Sequence, residues 1–263
     1  MYEFHGDMKR YHDMTREVTE QYVIPFVSES IDVSKPLHVL EIGSGEAGVL
    51  SAFTARWHHC VGVELSPQRV ERAKALMEKE VKQGLIQFIA KDIYDIDPNQ
   101  FQPKFDLIIL KDVIEHIHEQ EKIMVRLKDF LAPNGIIFFG FPPWYMPYGG
   151  HQQVAKSKVG SKLPYYHILP KFLYKGMLKM FGESEAMIEG LEEIKDTGIS
   201  IERFERITKS AGLEIVNKTF YLFNPIYKFK FGLKPRKQLG IVNYIPFLRN
   251  FVTTCAYYTV KVK

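Results

Sequence analysis

The sequence predicts an α/β fold built on a parallel, doubly wound sheet. Three observations predict it. Apolar, strand-like runs alternate with helical stretches from residue 37 to residue 141. One run, Phe105–Leu110, is apolar on both faces, as a strand buried inside a parallel sheet should be. The first run opens into closely spaced glycines, which permit a tight turn and a close backbone approach to a ligand.

Each element follows in order. Residues 8–30 read as a helix ending near Ser28. Leu37–Ile42 is a short strand after Pro36, Gly45–Trp57 a helix, and Cys60–Glu64 the second strand. Pro67 opens a helix that runs to about Lys82, with Ser66 as its N-cap. Ile86–Ala90 and Phe105–Leu110 are the third and fourth strands. Glu119–Leu131 is a helix closed by Pro133 and Gly135, and Ile136–Phe141 is the fifth strand. The regular pattern then stops. Residues 142–200, rich in Pro, Gly, Tyr and Lys, read as a long irregular insertion of the kind that forms lids. Ile201–Ala211 is a helix stopped by Gly212, and Leu213–Phe220 a strand. Phe251–Val262 is a last strand able to pair antiparallel with it, after a basic, aromatic insertion over residues 221–250.

With 263 residues, 46% of them apolar and 25% charged, the chain suits one domain and is neither disordered nor low-complexity. Its apolar runs are too short to span a membrane, and its charged N-terminal stretch lacks the apolar core of a secretory signal. Two cysteines outside any CxxC pair, Cys60 and Cys255, suit a reducing, cytoplasmic setting. The net charge of +4 is uneven. No acid follows Glu214, while nine Lys and Arg do, and the first 214 residues hold 26 basic against 31 acidic groups. A second acid-free window, Phe130–Gly182, carries six lysines. Such windows are either solvated surface or a means of attracting something anionic.

The strongest motif is VLEIGSGEAGVL, Val39–Leu50, with Gly43, Gly45 and Gly48 between strand and helix. The second strand ends in Glu64, 21 residues past Gly43, where a carboxylate can bind both hydroxyls of a ribose. To that point NAD fits as well as S-adenosylmethionine (SAM). Three features separate them. Glu41, just before the first glycine, can meet the ammonium of an amino-acid moiety but serves no purpose beside a pyrophosphate. Asp92, in Lys91-Asp92-Ile93 at the third strand tip, can accept from an adenine amino group. KFDLIILKDVIEHI leads a strand directly into Lys111-Asp112 and a short helix.

With EIGSGEAG, VGVELS, AKDIYD, FDLIILKDVIEHI and LAPNGIIFFGFPP in this order, residues 37–142 and the two terminal strands resemble the class I SAM-dependent methyltransferases. The resemblance implies a Rossmann-like, three-layer sheet of seven strands with the last antiparallel, in a single domain spanning 1–263. It implies that Glu41, Gly43 and Gly45 hold the methionine end, that Glu64 takes the ribose with Leu65 beside the adenine, and that Asp92 and Ile93 bind the adenine edge. Lys111 and Asp112 would close over the sulfonium. Glu46 departs from the small or apolar residue usual after the second glycine. The helix within residues 1–30, with Tyr2, Phe4, Tyr11, Tyr22 and Phe26, resembles the family's cover segment.

An oxygen acceptor also needs a base or a metal to take its proton. His116, His151, His167, Asp112 and Glu115 are the candidates. If helical, Asp112, Glu115 and His116 share one face. Their D-x-x-E-H resembles the E-x-x-E-H of ubiquinone-pathway O-methyltransferases and small-RNA 2′-O-methyltransferases, which can ligate a divalent cation. Asp in first place shortens the reach, so no residue is assigned as a metal ligand. FPPWYMPYGGHQQ, after the fifth strand, reads as an acceptor wall of Trp144, Tyr145 and Tyr148, with His151 as general base, an imidazole expected to titrate near the working pH, and His116 as second catalytic residue. The acid-free windows point to an anionic small-molecule or carbohydrate-containing acceptor, phosphorylated, nucleotide-linked or lipid-linked, and to peripheral membrane contact through the basic C-terminal region. A nucleic-acid methyltransferase is the alternative, though no RNA-binding appendage is apparent. An NAD-dependent oxidoreductase and a non-catalytic partner protein fit less well.

Overall fold

The computed structural model describes residues 8–263. Tyr2 and Phe4 therefore lie outside the described residues. Eight strands form one sheet in the order β3-β2-β1-β4-β5-β8-β6-β7. They are β1 (His38–Ile42), β2 (His59–Glu64), β3 (Ile86–Ala90), β4 (Phe105–Lys111), β5 (Leu131–Phe141), β6 (Leu213–Phe223), β7 (Arg236–Lys237) and β8 (Cys255–Val262). The first five are parallel, and β8 runs antiparallel to both β5 and β6. Strand order reverses between β1 and β4, which places a crevice at their carboxyl ends. The two-residue edge strand β7 makes the count eight rather than the expected seven. It forms where Tyr221 and Phe223 extend β6 past Phe220, so residues 221–223 belong to the sheet and not to an insertion.

Period-two alternation sends Leu107 and Ile109 to one face and Ile108 and Leu110 to the other. One face is covered by α1 (Met8–Val18), α2 (Ile24–Ser28) and α3 (Gly48–Thr54), with α4 (Pro67–Leu76) and α5 (Glu78–Lys82) continuing that layer. The other face carries α6 (Gln120–Arg126) and α9 (Ile201–Ser210), whose Phe204 packs on Phe139, Phe141 and Tyr258. A π turn, Thr19–Val23, joins α1 to α2. Ser66 caps α4 by accepting from the Arg69 amide, as expected, but the helix breaks at Met77.

Two expectations are corrected. β5 begins at Leu131, not Ile136. Leu131 pairs with Phe105 before the register jumps to Leu107–Ile136, so Pro133 and Gly135 sit in a bulge instead of closing a helix. The 142–200 segment is irregular only at first. It contains α7 (Lys171–Met180) and α8 (Glu185–Thr197), which bury Tyr166, Tyr174, Leu178, Ile188 and Leu191 in a small core of their own. Gly176 and Gly190 weaken the helical signal in sequence, and this packing overrides it. Between β6 and β8 lie α10 (Tyr227–Phe231), α11 (Gly240–Asn243) and α12 (Leu248–Phe251). Among the described residues no helix is long and apolar enough to cross a membrane. Cys60 and Cys255 are buried free thiols.

Candidate active site

The crevice begins where β1 runs out. Gly43 and Gly45 take φ of +71° and +50°, and Ala47 joins them at +63°. The turn brings the Gly45 amide to Glu64 at the tip of β2, donating to Oε2 at 3.0 Å, while the Ser66 amide donates to Oε1 at 3.0 Å. Two backbone donors thus orient Glu64. Glu46, the residue that departs from the family pattern, is explained by Arg69. The guanidinium donates from Nη2 to Oε2 at 2.9 Å and from Nε to Oε1 at 3.2 Å, and its Nη1 lies 3.6 Å from Glu64.

The third glycine serves packing. A Cβ on Gly48 would stand 1.8 Å from Thr15 Oγ1 and 2.5 Å from the His12 carbonyl, so α1 rests directly on the start of α3. His12 Nδ1 also hydrogen-bonds the Glu46 carbonyl at 2.8 Å. Held there, Tyr11 and Thr15 wall the same cavity of about 310 Å³ as Glu41, Gly43, Gly45, Glu64, Leu65, Lys111, Asp112 and His116. Asp92 and Ile93 line an adjoining cavity with Gly43, Glu64 and Leu65. Asp92 additionally caps a short 3₁₀ turn by accepting from the Tyr94 amide at 3.0 Å. All nine residues expected at the cofactor thus line one or the other of two cavities that share Gly43, Glu64 and Leu65.

Electrostatics single out the end nearest β1. Glu41 is buried and its Oε2 has no hydrogen-bond partner. Burial pushes its carboxyl well above the usual range, against the pull of Lys111. An ammonium group is the chemistry that such an orphaned carboxylate lacks. Lys111 cannot supply it fully, because it is ion-paired with Asp112. Burial opposes both charges of that pair, and their mutual attraction overcomes it, holding the lysine pKa up and the aspartate pKa down.

A second cavity, about 350 Å³, abuts the first, with Tyr11, Arg69, Asp112 and His116 lining both. Its other walls include Glu115, Met146, Tyr148, His151, Tyr227 and Lys230. The His116 and His151 rings stand 5.0 Å apart, edge to face. Three expectations are revised here. Asp112, at φ +56°, precedes the 3₁₀ turn Ile114–His116, so Asp112, Glu115 and His116 do not share a helix face. The residues that converge are Glu115, His116 and His151, each with a possible ligand atom within 4.8 Å of the others. His151 does not titrate near neutrality. Desolvation, reinforced by His116, pulls it to about 4. Trp144 is no pocket wall. It is buried against Gly198, and His167 is structural, bonding the Trp144 carbonyl at 2.8 Å and Gln152 at 3.2 Å. Tyr145 packs on Phe251, leaving Tyr148 as the aromatic of that trio at the cavity.

Arg69 borders the site without having been singled out from sequence, while Asn224, Tyr227 and Lys230 come from the basic, aromatic stretch whose charge pointed to the acceptor. The unusual Glu46 was the one signal pointing to Arg69. The others arrive from a segment more than 70 residues past His151. Another cleft of about 470 Å³, around His38, His59 and Phe88, lies at the opposite strand ends and gathers no acid.

A reversed-order α/β sheet with a glycine turn, acids on the strand tips and an orphaned carboxylate beside them has the chemistry that an adenosyl group carrying an amino acid would need. A methyltransferase-domain family model matches residues 13–156, more than half of the sequence. The chain belongs to that family, among the class I SAM-dependent methyltransferases. It is 26% identical over 129 residues to the tRNA 5-carboxymethoxyuridine methyltransferase of Escherichia coli (strain K12), covering 49% of this chain and 47% of that protein. It is 26% identical over 110 residues to a ubiquinone biosynthesis O-methyltransferase of Rhodopseudomonas palustris (strain BisB18), covering 42% and 41%. These matches span under half the length of each relative. Among solved structures, a SAM-dependent methyltransferase from Clostridium acetobutylicum superposes with a TM-score of 0.55 at 14% identity, over 94% of this chain and 91% of that one.

Proposed function

We propose that this protein transfers a methyl group from SAM to an oxygen of a small, anionic acceptor, carbohydrate-containing or lipid-linked. The observation that carries this reading is the shared wall between the two cavities at Asp112 and His116. One cavity offers the acids that an adenosyl amino acid needs. The other offers two imidazoles, a lysine and aromatic surface. When bound, SAM supplies a sulfonium methyl that passes to the acceptor oxygen, leaving S-adenosylhomocysteine. The residues of the chain do the rest. Glu41 and the Gly43–Gly45 turn hold the amino-acid end, Glu64 the ribose, and Asp92 and Ile93 the adenine edge, while Lys111 and Asp112 flank the sulfonium. Alignment and exclusion of water are the main contributions such a displacement needs. With its low pKa, His151 is neutral at pH 7, so it accepts a hydrogen bond from the acceptor hydroxyl and takes its proton as the oxygen is methylated, with His116 beside it.

Replacing His151 tests the assignment. Its φ of +54° suits Asn, so His151→Asn keeps the backbone. The expected result is a fall in turnover of about 10²–10⁴-fold with unchanged calorimetric affinity for SAM. Unchanged turnover would remove His151 from the reaction.

One observation favours a variant of this reading. Both carboxylate oxygens of Glu115 are buried without a partner, next to His116 and His151. That donor set fits a divalent cation, which would lower the pKa of an acceptor hydroxyl. The tRNA-modifying relative keeps a nucleic-acid acceptor as the alternative.

A further inference from the structure

Residues 231–248 turn large apolar side chains outward. Ile241 is 75% exposed, Tyr244 87%, Phe247 65% and Leu239 65%. The segment is nevertheless firmly anchored. Gln238 donates to the Val252 carbonyl at 2.7 Å, and buried Asn250 accepts from the Ile201 amide at 2.8 Å and donates to Glu202 at 2.6 Å. Arg249 binds Glu202 and Glu205 at 2.9 and 3.0 Å. Both ends are tied down, so the outward display of the apolar groups is part of the fold.

Charge says what this face meets. Lys234, Arg236 and Lys237 are exposed beside it, and no acid occurs anywhere after Glu214. Apolar groups flanked by exposed cations complement an anionic lipid surface. The face is also continuous with the site. Phe231 and Leu233, at its start, line an outer cavity of about 290 Å³ that shares Met146, Tyr148, Tyr227 and Phe231 with the acceptor cavity.

We propose that residues 231–248 dock the protein on an anionic bilayer, with Ile241, Tyr244 and Phe247 entering the interface and the outer cavity opening toward it. The docking stands independently of the identity of the acceptor. Flotation with vesicles of phosphatidylcholine containing phosphatidylglycerol, against phosphatidylcholine alone, tests it. The wild type should float with the anionic vesicles and be released by salt. Ile241→Asp and Phe247→Asp, both at exposed positions, should each cut partitioning by about tenfold while calorimetric SAM affinity is unchanged. Absence of binding to anionic vesicles at low salt, or binding indifferent to both substitutions, would overturn the proposal. So would a dimer in sedimentation that these substitutions dissociate, since the face would then belong to a second copy.

Discussion

At the scale of single residues, the site is a set of charges and backbones held where they are costly. Glu41 is buried with an unpartnered oxygen, and its carboxyl is raised above an ordinary value of 4.5. A carboxyl raised in the folded state favours folding at low pH and loses that contribution as pH climbs past its unfolded pKa. Glu41→Gln should therefore stabilise the ligand-free protein, by about 1–3 kcal/mol, and more at pH 8 than at pH 5. The same substitution should weaken SAM binding at least tenfold. Melting curves at the two pH values and a titration at one check both halves; a destabilised variant with full affinity would contradict the assignment. Ala47, Asp112 and His151 show the same economy in the backbone, being non-glycine residues at positive φ around one crevice.

At the scale of elements, α1 is the part whose role the sequence left open. Its contact with α3 at Gly48 is so close that any side chain there must displace it. Gly48→Ala should cost about 1–3 kcal/mol. It should also weaken SAM binding, because Tyr11 and Thr15 would leave the cavity wall. A destabilised protein with normal affinity would show that α1 packs on the sheet without covering the cofactor. The helices of the 142–200 segment illustrate the opposite case. Their boundaries are set by a core that includes Tyr166 from outside either helix, which no window along the chain can reveal.

At the scale of the molecule, two distant stretches meet over the second cavity. Glu115 and His116 follow β4, while His151 follows β5 and belongs to the segment carrying α7 and α8. A cation bound by all three would tie that segment to the sheet. Mn²⁺ about 100-fold above its Kd should raise the melting temperature by roughly 5–10 °C. The shift should vanish in Glu115→Gln. An equal shift in that variant would place the ion elsewhere.

The sequence by itself determined the fold class and the family, and it named the residues that line the crevice at the strand tips. Those signals are local: strand periodicity, a glycine turn, and single acids that parallel strands necessarily bring side by side at their carboxyl ends. Only the tertiary structure decided which side chains line the second cavity. It paired His151 with Glu115 and His116, buried Trp144 away from the cavity, brought Tyr227 and Lys230 in from the C-terminal region, and left Ile241, Tyr244 and Phe247 facing outward. These depend on which distant surfaces pack and which stay bare, and periodicity along a chain carries no information about that.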